Sequence, residues 1–221
     1  MEFDYHVLLN NYPVLIEGMW LTLLILLIAT GGGAVIGLAV CVLSLRRSGG
    51  LYIAARAYVD FFRTTPEMAL IFWIYFCLPP ILDIRISAMV AGTLALTLVA
   101  GAFLGEIFRA GVQAVPRGQL EAADALGIPT SHRWVSVILP QAVRRMLPAF
   151  INYLTELLKL TTLLSAIAVY ELSYQAYSLG AQTFRYVEFL SAIALIYFLI
   201  IFPISTLARY SERRVARRTG R

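Results

Sequence analysis

The sequence predicts an all-α membrane protein of five transmembrane helices, with its N-terminus outside and its C-terminus cytoplasmic. Three observations predict it. Sixty per cent of the 221 residues are hydrophobic and 14% are charged, with a mean hydropathy of +0.77, well outside soluble composition. Five apolar runs are long enough, at about 1.5 Å per residue, to cross a roughly 30 Å hydrocarbon core. The basic residues also divide unevenly between the two ends of those runs. Arg46, Arg47, Arg56, Arg63, Arg109, Arg117, Arg133, Arg144, Arg145, Arg209, Arg213, Arg214, Arg217, Arg218 and Arg221 fall on one side, Arg85 and Arg185 on the other, and Lys159 within a run. The positive-inside rule places the larger group in the cytoplasm.

Residues 1–17 are acidic and aromatic, carry no Lys or Arg, and are expected at the outer membrane surface. No positive stretch precedes the first apolar run, so it reads as a retained span over residues 18–43 rather than a cleaved signal. Gly33 and Gly37 within it have the spacing that lets another helix approach closely. Residues 51–63 read as an amphipathic segment on the inner surface, apolar residues being interrupted by Arg56, Asp60 and Arg63. A shorter second span follows over residues 66–82, ended by Pro79 and Pro80. Asp83 and Arg85 mark an outer turn, and a third span runs over residues 87–109 with Gly101 and Gly105 again at small-x3-small spacing.

Residues 119–140 are polar, rich in small residues and flanked by apolar runs. Glu121 and Asp124 suit a helix N-terminal half, and Gly127 followed by Pro129 stops that helix. A second short helix is expected from Thr130 or Ser131, halted by Pro140. The two form a compact cytoplasmic knob suited to a pocket on another protein; the plainer alternative is an amphipathic interfacial loop. The fourth span is expected over residues 147–170, opened by Pro148, and residues 171–186 read as an outer connection. The fifth covers residues 187–207, with a kink at Pro203. The tail, residues 211–221, is basic and expected to be mobile, serving as a topology signal and a contact with anionic lipid. With no internal repeat or low-complexity linker, residues 18–210 form one membrane domain.

The chemistry available is narrow. Cys41 and Cys77 lie in different apolar runs and His6 and His132 on opposite sides, so neither a disulfide nor a metal site is expected. No phosphate-loop pattern occurs, and no histidine is expected beside a nucleophile. The high pI of about 9.4 reflects loop arginines at the membrane rather than a nucleic-acid surface. A non-enzyme subunit is expected.

In the fourth span Asn152, Thr155, Glu156, Lys159 and Thr162 recur at three- and four-residue steps, which predicts one helical face. Ionisable groups cost about 2.5 kcal/mol or more each in the bilayer, so they are expected to line a path; Glu156 and Lys159 pairing only to hold helices together is the alternative. Glu67, at the start of the second span, either contacts substrate or favours its own helix N-terminus.

Glu121-Ala122-Ala123, Gly127, Val137 and Leu139-Pro140 resemble, in order and spacing, the E-A-A-x3-G-x9-I-x-L-P cytoplasmic loop of binding-protein-dependent ABC importer permeases, with Val137 standing for Ile. Phe62-Arg63-Thr64-Thr65-Pro66, with Thr64 in place of Gly, is similar to a stretch of the polar amino-acid permeases, the histidine, glutamine and arginine permease family. So are Glu106-Ile107-Phe108-Arg109-Ala110-Gly111, Pro148, Lys159 and Glu171-Leu172.

The resemblance implies a type I ABC importer-like five-helix half of a permease dimer, homo- or heterodimeric, in the bacterial inner membrane with residues 1–17 periplasmic. It implies a periplasmic substrate-binding protein and two ATPase subunits that receive the loop spanning residues 111–146, so that ATP and Mg belong to the partner and this chain holds no cofactor. Tyr153 and Leu160 stand where family members often carry acids beside the Asn and Lys of the fourth span. A strongly cation-selective site is accordingly less expected, although Glu156 and Glu67 supply negative charge. A stand-alone channel or secondary transporter relaying through Glu156 and Lys159 is the competing expectation.

Overall fold

The computed structural model describes residues 3–46 and 48–218; Met1, Glu2, Arg47, Thr219, Gly220 and Arg221 of the expected terminal segments and basic loop lie outside the described residues. The described residues form ten α-helices: α1 (Tyr5–Leu45), α2 (Gly50–Thr64), α3 (Glu67–Phe72), α4 (Leu78–Leu82), α5 (Ala88–Gln113), α6 (Arg117–Ala125), α7 (Thr130–Arg133), α8 (Leu139–Leu160), α9 (Leu172–Thr183) and α10 (Tyr186–Arg218). π-helical turns over Trp73–Cys77 and Trp134–Ile138 join α3 to α4 and α7 to α8, and a 3₁₀ stretch over Thr161–Ile167 extends α8. Three helices, α1, α5 and Tyr186–Tyr210 of α10, are long and apolar enough to cross a membrane. The count reaches five if two bent pairs each cross once: Gly50–Thr64 with Glu67–Leu82, bent by 105°, and Thr130–Ile167 with Leu172–Thr183, bent by 46°.

At the centre is α5, which takes its largest contact from α1 and further contacts from α8 and α2. Ser87 starts it, accepting the Val90 amide at 3.3 Å. Ile25, Ile71, Leu96, Leu104, Leu157 and Leu164 are fully buried around it, while Leu27, Val35, Phe198 and Leu199 leave the outer flanks of α1 and α10 apolar and exposed, as a lipid-facing surface requires.

Glycine sets the α1–α5 separation. A Cβ on Gly37 would stand 2.8 Å from the Gly105 amide nitrogen and 3.1 Å from the Leu104 carbonyl carbon, and one on Gly33 2.5 Å from the Ala100 Cβ. Because backbone atoms cannot turn aside, Gly37→Ala is expected to force the helices apart and destabilise by about 1–3 kcal/mol. Gly31, whose Cβ would meet open space, is the matched control: Gly31→Ala should be neutral or stabilising by up to about 1 kcal/mol. Thermal unfolding in detergent reads the difference, and equal midpoints for the two variants would remove the close-contact argument.

Several sequence expectations change. α1 begins at Tyr5, capped by Asp4, whose side chain accepts the His6 amide, so described residues of the N-terminal segment continue the first span as one helix. At 1.5 Å per residue, the 41 residues of α1 reach roughly 60 Å. Pro79 and Pro80 do not end the second span and Pro140 does not halt the helix after Thr130; each falls in the first turn of α4 or α8, behind a π turn. Both π turns open at a tryptophan and close at Leu-Pro, the Leu78 amide donating to the Trp73 carbonyl and the Leu139 amide to the Trp134 carbonyl. A widened turn leaves room for the carbonyl four residues before proline, which the ring would otherwise strike. Pro148 lies inside α8 rather than opening it.

The expected outer connection after residue 171 is largely helix α9, packed on α1 and α10. Buried Glu171 caps it by accepting the Tyr174 amide at 2.8 Å and the Tyr197 hydroxyl of α10 at 3.2 Å. Thr22 of α1 accepts the Leu172 amide at 3.1 Å. The backbone of α10 remains helical to Arg218, through most of the expected tail.

Candidate functional site

Two regions gather the sequence-predicted residues. The first is the knob between α5 and α8. α6 ends in a Schellman turn: the Ile128 amide donates to the Ala123 carbonyl and the Gly127 amide to the Asp124 carbonyl, both at 3.0 Å, with Gly127 at φ 65°. Pro129 then caps α7. Across this elbow the Arg133 guanidinium donates to the Asp124 carboxylate, tying the two short helices together. The chain therefore turns where Gly127 and Pro129 predict.

Glu121, Ala122 and Gly127 are exposed on the knob, whereas Ala123 is buried beneath it; Leu139 and Pro140 are exposed at the start of α8. Val115, Ile138 and Ala142, joined by Val112, Leu120 and Trp134, form a small apolar cluster that seats the knob on the ends of α5 and α8. The knob is thereby packed against the ends of both long helices. Leu126 (77% exposed) and Val135 (65%) stand out from the knob as exposed apolar side chains, and Leu126, which directly precedes the turn glycine, is the one the sequence could have signalled. Ser136 Oγ also lies 3.2 Å from His132 Nε2, a neighbour the sequence reading did not expect. The pair is exposed and makes the ordinary i,i+4 contact of one helical turn.

The second region is α8. Glu156 and Lys159 form an ion pair at 3.1 Å, their side chains 58% and 55% exposed, and Asn152 is exposed on the same side. Thr155 leaves that face: it is buried, its hydroxyl donating to the Asn152 carbonyl at 2.7 Å. Thr162 is half-buried in the 3₁₀ stretch, donating to the Lys159 carbonyl at 2.7 Å. On a helix turning about 100° per residue, Thr155 stands roughly 60° to one side of Asn152 and Glu156 roughly 40° to the other. The predicted five-residue face therefore splits.

Glu67, half-buried in the first turn of α3, lies close enough to the Tyr153 phenol to act on it electrostatically, as does Glu156. The start of α3 and the middle of α8 thus share a neighbourhood. Tyr153 stacks on Phe103 of α5, ring centroids 5.1 Å apart, and the Arg63 guanidinium lies 5.2 Å over the other ring of that stack, Phe103, continuing the column to the end of α2.

A third cluster, whose Glu106 and Arg109 belong to the family-like stretch and whose Arg56 lies in the amphipathic segment, ties α2 to the base of α5. Glu106 accepts Arg56 Nη1 at 2.7 Å, Arg109 Nε at 3.0 Å and Arg109 Nη2 at 2.5 Å, and Arg109 Nη1 donates to Gln113 at 2.7 Å. These bonds fix the last turns of α5 where the knob begins. Opposite charges fifty residues apart carry no pairing signal in a single sequence.

The chain is similar over nearly its whole length to proteins of a known family. The family model described as binding-protein-dependent transport system inner membrane component matches residues 29–217. The probable glutamine ABC transporter permease protein GlnM of Bacillus subtilis is 34% identical over 209 residues, covering 95% of this chain and 96% of that protein. The arginine transport system permease protein ArtQ of Bacillus subtilis is 31% identical over 215 residues, covering 97% and 98%. A crystal structure of an amino acid ABC transporter with histidines matches with a TM-score of 0.88 at 33% identity, covering 97% of this chain and all of that one. The chain, a helical multi-pass membrane protein, belongs to the family of binding-protein-dependent transport system inner membrane components, among the permeases of amino-acid ABC transporters.

Proposed function

We propose that this chain is the permease subunit through which a binding-protein-dependent ABC importer moves polar amino acids, with basic amino acids and opine-like derivatives among the candidates, across the bacterial inner membrane. The observation that carries the proposal is the exposed knob around Gly127, seated through an apolar cluster on the ends of both α5 and α8. Glu121, Ala122, Gly127, Leu139 and Pro140 form its coupling surface with Ala123 supporting it from below, and Leu126 and Val135 supply apolar anchors. Two separate ATPase subunits bind ATP and Mg and hydrolyse the nucleotide; this chain holds no cofactor. Closure of those subunits moves the knob and, through α5 and α8, opens the outer gate to a periplasmic binding protein, and hydrolysis resets it. Five spans place the N-terminus in the periplasm and the knob in the cytoplasm, with α2 along the inner surface.

Glu67, Asn152, Glu156, Lys159 and Thr162 line the path, and Thr155 supports it from behind. An ion pair exposed in the middle of a span has to be covered by something other than lipid, which here is a second permease subunit, the same chain or a relative, together with the solute. A Lys–Glu pair offers one group to each end of a zwitterion.

The test is recovery of the tagged chain from its native membranes in mild detergent, with mass spectrometry of what accompanies it. An ATPase bearing a phosphate loop, retained by wild type and lost with Glu121→Lys, is expected. Recovery of the chain alone, with ATP-independent flux after reconstitution, would install the channel or secondary transporter in place of the importer.

A further inference from the structure

A cavity of about 420 Å³ opens between the last turns of α5 and the first half of α8, with Arg63 from α2 in its lining. Its polar wall is made by Arg63, Arg145 and Glu106, and its apolar wall by Phe103, Ile107, Met146 and small residues. Glu106 is already held by Arg56 and Arg109. Among the described residues neither Arg63 nor Arg145 has an ion-pair partner; Arg63 rests over the Phe103 ring. The cavity therefore presents the Arg145 guanidinium, and the Arg63 guanidinium stacked on Phe103, beside an apolar wall, with the Glu106 carboxylate of its lining engaged by Arg56 and Arg109.

We propose that this cavity seats the phosphate of an anionic phospholipid from the cytoplasmic leaflet, the headgroup on Arg63 and Arg145 and the first acyl carbons along Phe103, Ile107 and Met146. The inference rests on the topology proposed above, which sets Arg63 and Arg145 at cytoplasmic headgroup depth. Guanidinium forks match phosphate oxygens in geometry and charge, and basic pockets between spans on the cytoplasmic side are where anionic headgroups bind. A zwitterionic solute would need a free carboxylate for its ammonium group, and Glu106 does not offer one. Lipid in this position touches both helices that carry the knob, so its binding braces the segment through which coupling passes.

The experiment uses the complex recovered through a tag on this chain, delipidated and titrated with phosphatidylglycerol or phosphatidylcholine under native mass spectrometry. Recovery of the ATPase in the same spectra reports the importer reading independently. Phosphatidylglycerol is expected to bind in preference to phosphatidylcholine. Arg63→Gln with Arg145→Gln should weaken phosphatidylglycerol binding by at least about tenfold, and Arg145→Gln alone by about fivefold. The charge-matched control, Arg46→Gln with Arg209→Gln on exposed positions, should leave this binding step unchanged. Equal phosphatidylglycerol affinity in wild type and either Arg145 variant would overturn the proposal. So would displacement of the bound lipid by free glutamine or arginine, which would make the cavity a solute site.

Discussion

Gly127→Trp is expected to abolish ATP-driven uptake while leaving the chain inserted and folded. Gly127 sits at φ 65°, where a residue with a Cβ pays about 1–2 kcal/mol, and that conformational cost is shared by Gly127→Ala. A Cβ there meets nothing within 4 Å, so the chain itself has room for a larger side chain. Any loss in the Trp variant beyond that in the Ala variant must come from a surface outside this chain. Gly127→Asn, which tolerates the left-handed region, separates the two effects further by relieving the backbone while adding bulk. The measurement is uptake into proteoliposomes beside the amount of ATPase retained. Wild-type uptake by the Trp variant would show that the knob is not seated in a partner.

Glu156→Gln and Lys159→Met are each expected to lower uptake by roughly tenfold or more, equivalent to about 1.4 kcal/mol at the rate-limiting state. Each leaves the other charge without its 3.1 Å partner. Low uptake in the single variants alone does not separate a path from a structural pair, but the double variant does. If the pair only holds helices together, removing both charges should restore assembly and uptake, since replacing both members of an ion pair is often neutral. If the residues meet solute, the double variant should assemble normally and still transport poorly, with an altered preference among amino acids. Recovery of wild-type rate and preference in the double variant would leave the pair a structural role only.

The two regions differ in how far the sequence reveals them. The knob is written locally: the left-handed glycine, the proline two residues on and the small residues before them define the turn within a single stretch of chain, and the structure builds that turn. The α8 face is not local. Periodicity places Asn152, Thr155, Glu156, Lys159 and Thr162 around an axis, but α5 and its neighbours decide which direction is covered, and Thr155 falls on the covered side. The prolines mislead for a related reason. Read alone, Pro79, Pro80 and Pro140 are stops, yet a π turn ahead of each site lets the helix pass, and no residue type in the sequence marks a π turn by itself. α9 was hidden because Glu171, Tyr174 and Gln175 lower its polarity contrast with a loop. The Arg56–Glu106–Arg109 cluster required the fold.

The glycine contact between α1 and α5 governs where this molecule can deform. Side chains that interdigitate can change rotamer and let two helices slide, but a backbone resting on a backbone has no such gear to slip. α1 and α5 are therefore packed as one girder, with the N-terminal end of α1 fastened to α10 by the Asp4 amide, which donates to the Glu188 carboxylate at 3.4 Å. In the coupling proposed above, motion delivered at the knob is taken up elsewhere along the chain. The two tryptophan-to-Leu-Pro turns, each with one residue more per hydrogen-bonded ring than the helix around it, join the breaks between α2 and α3 and before α9 as places where the chain can bend.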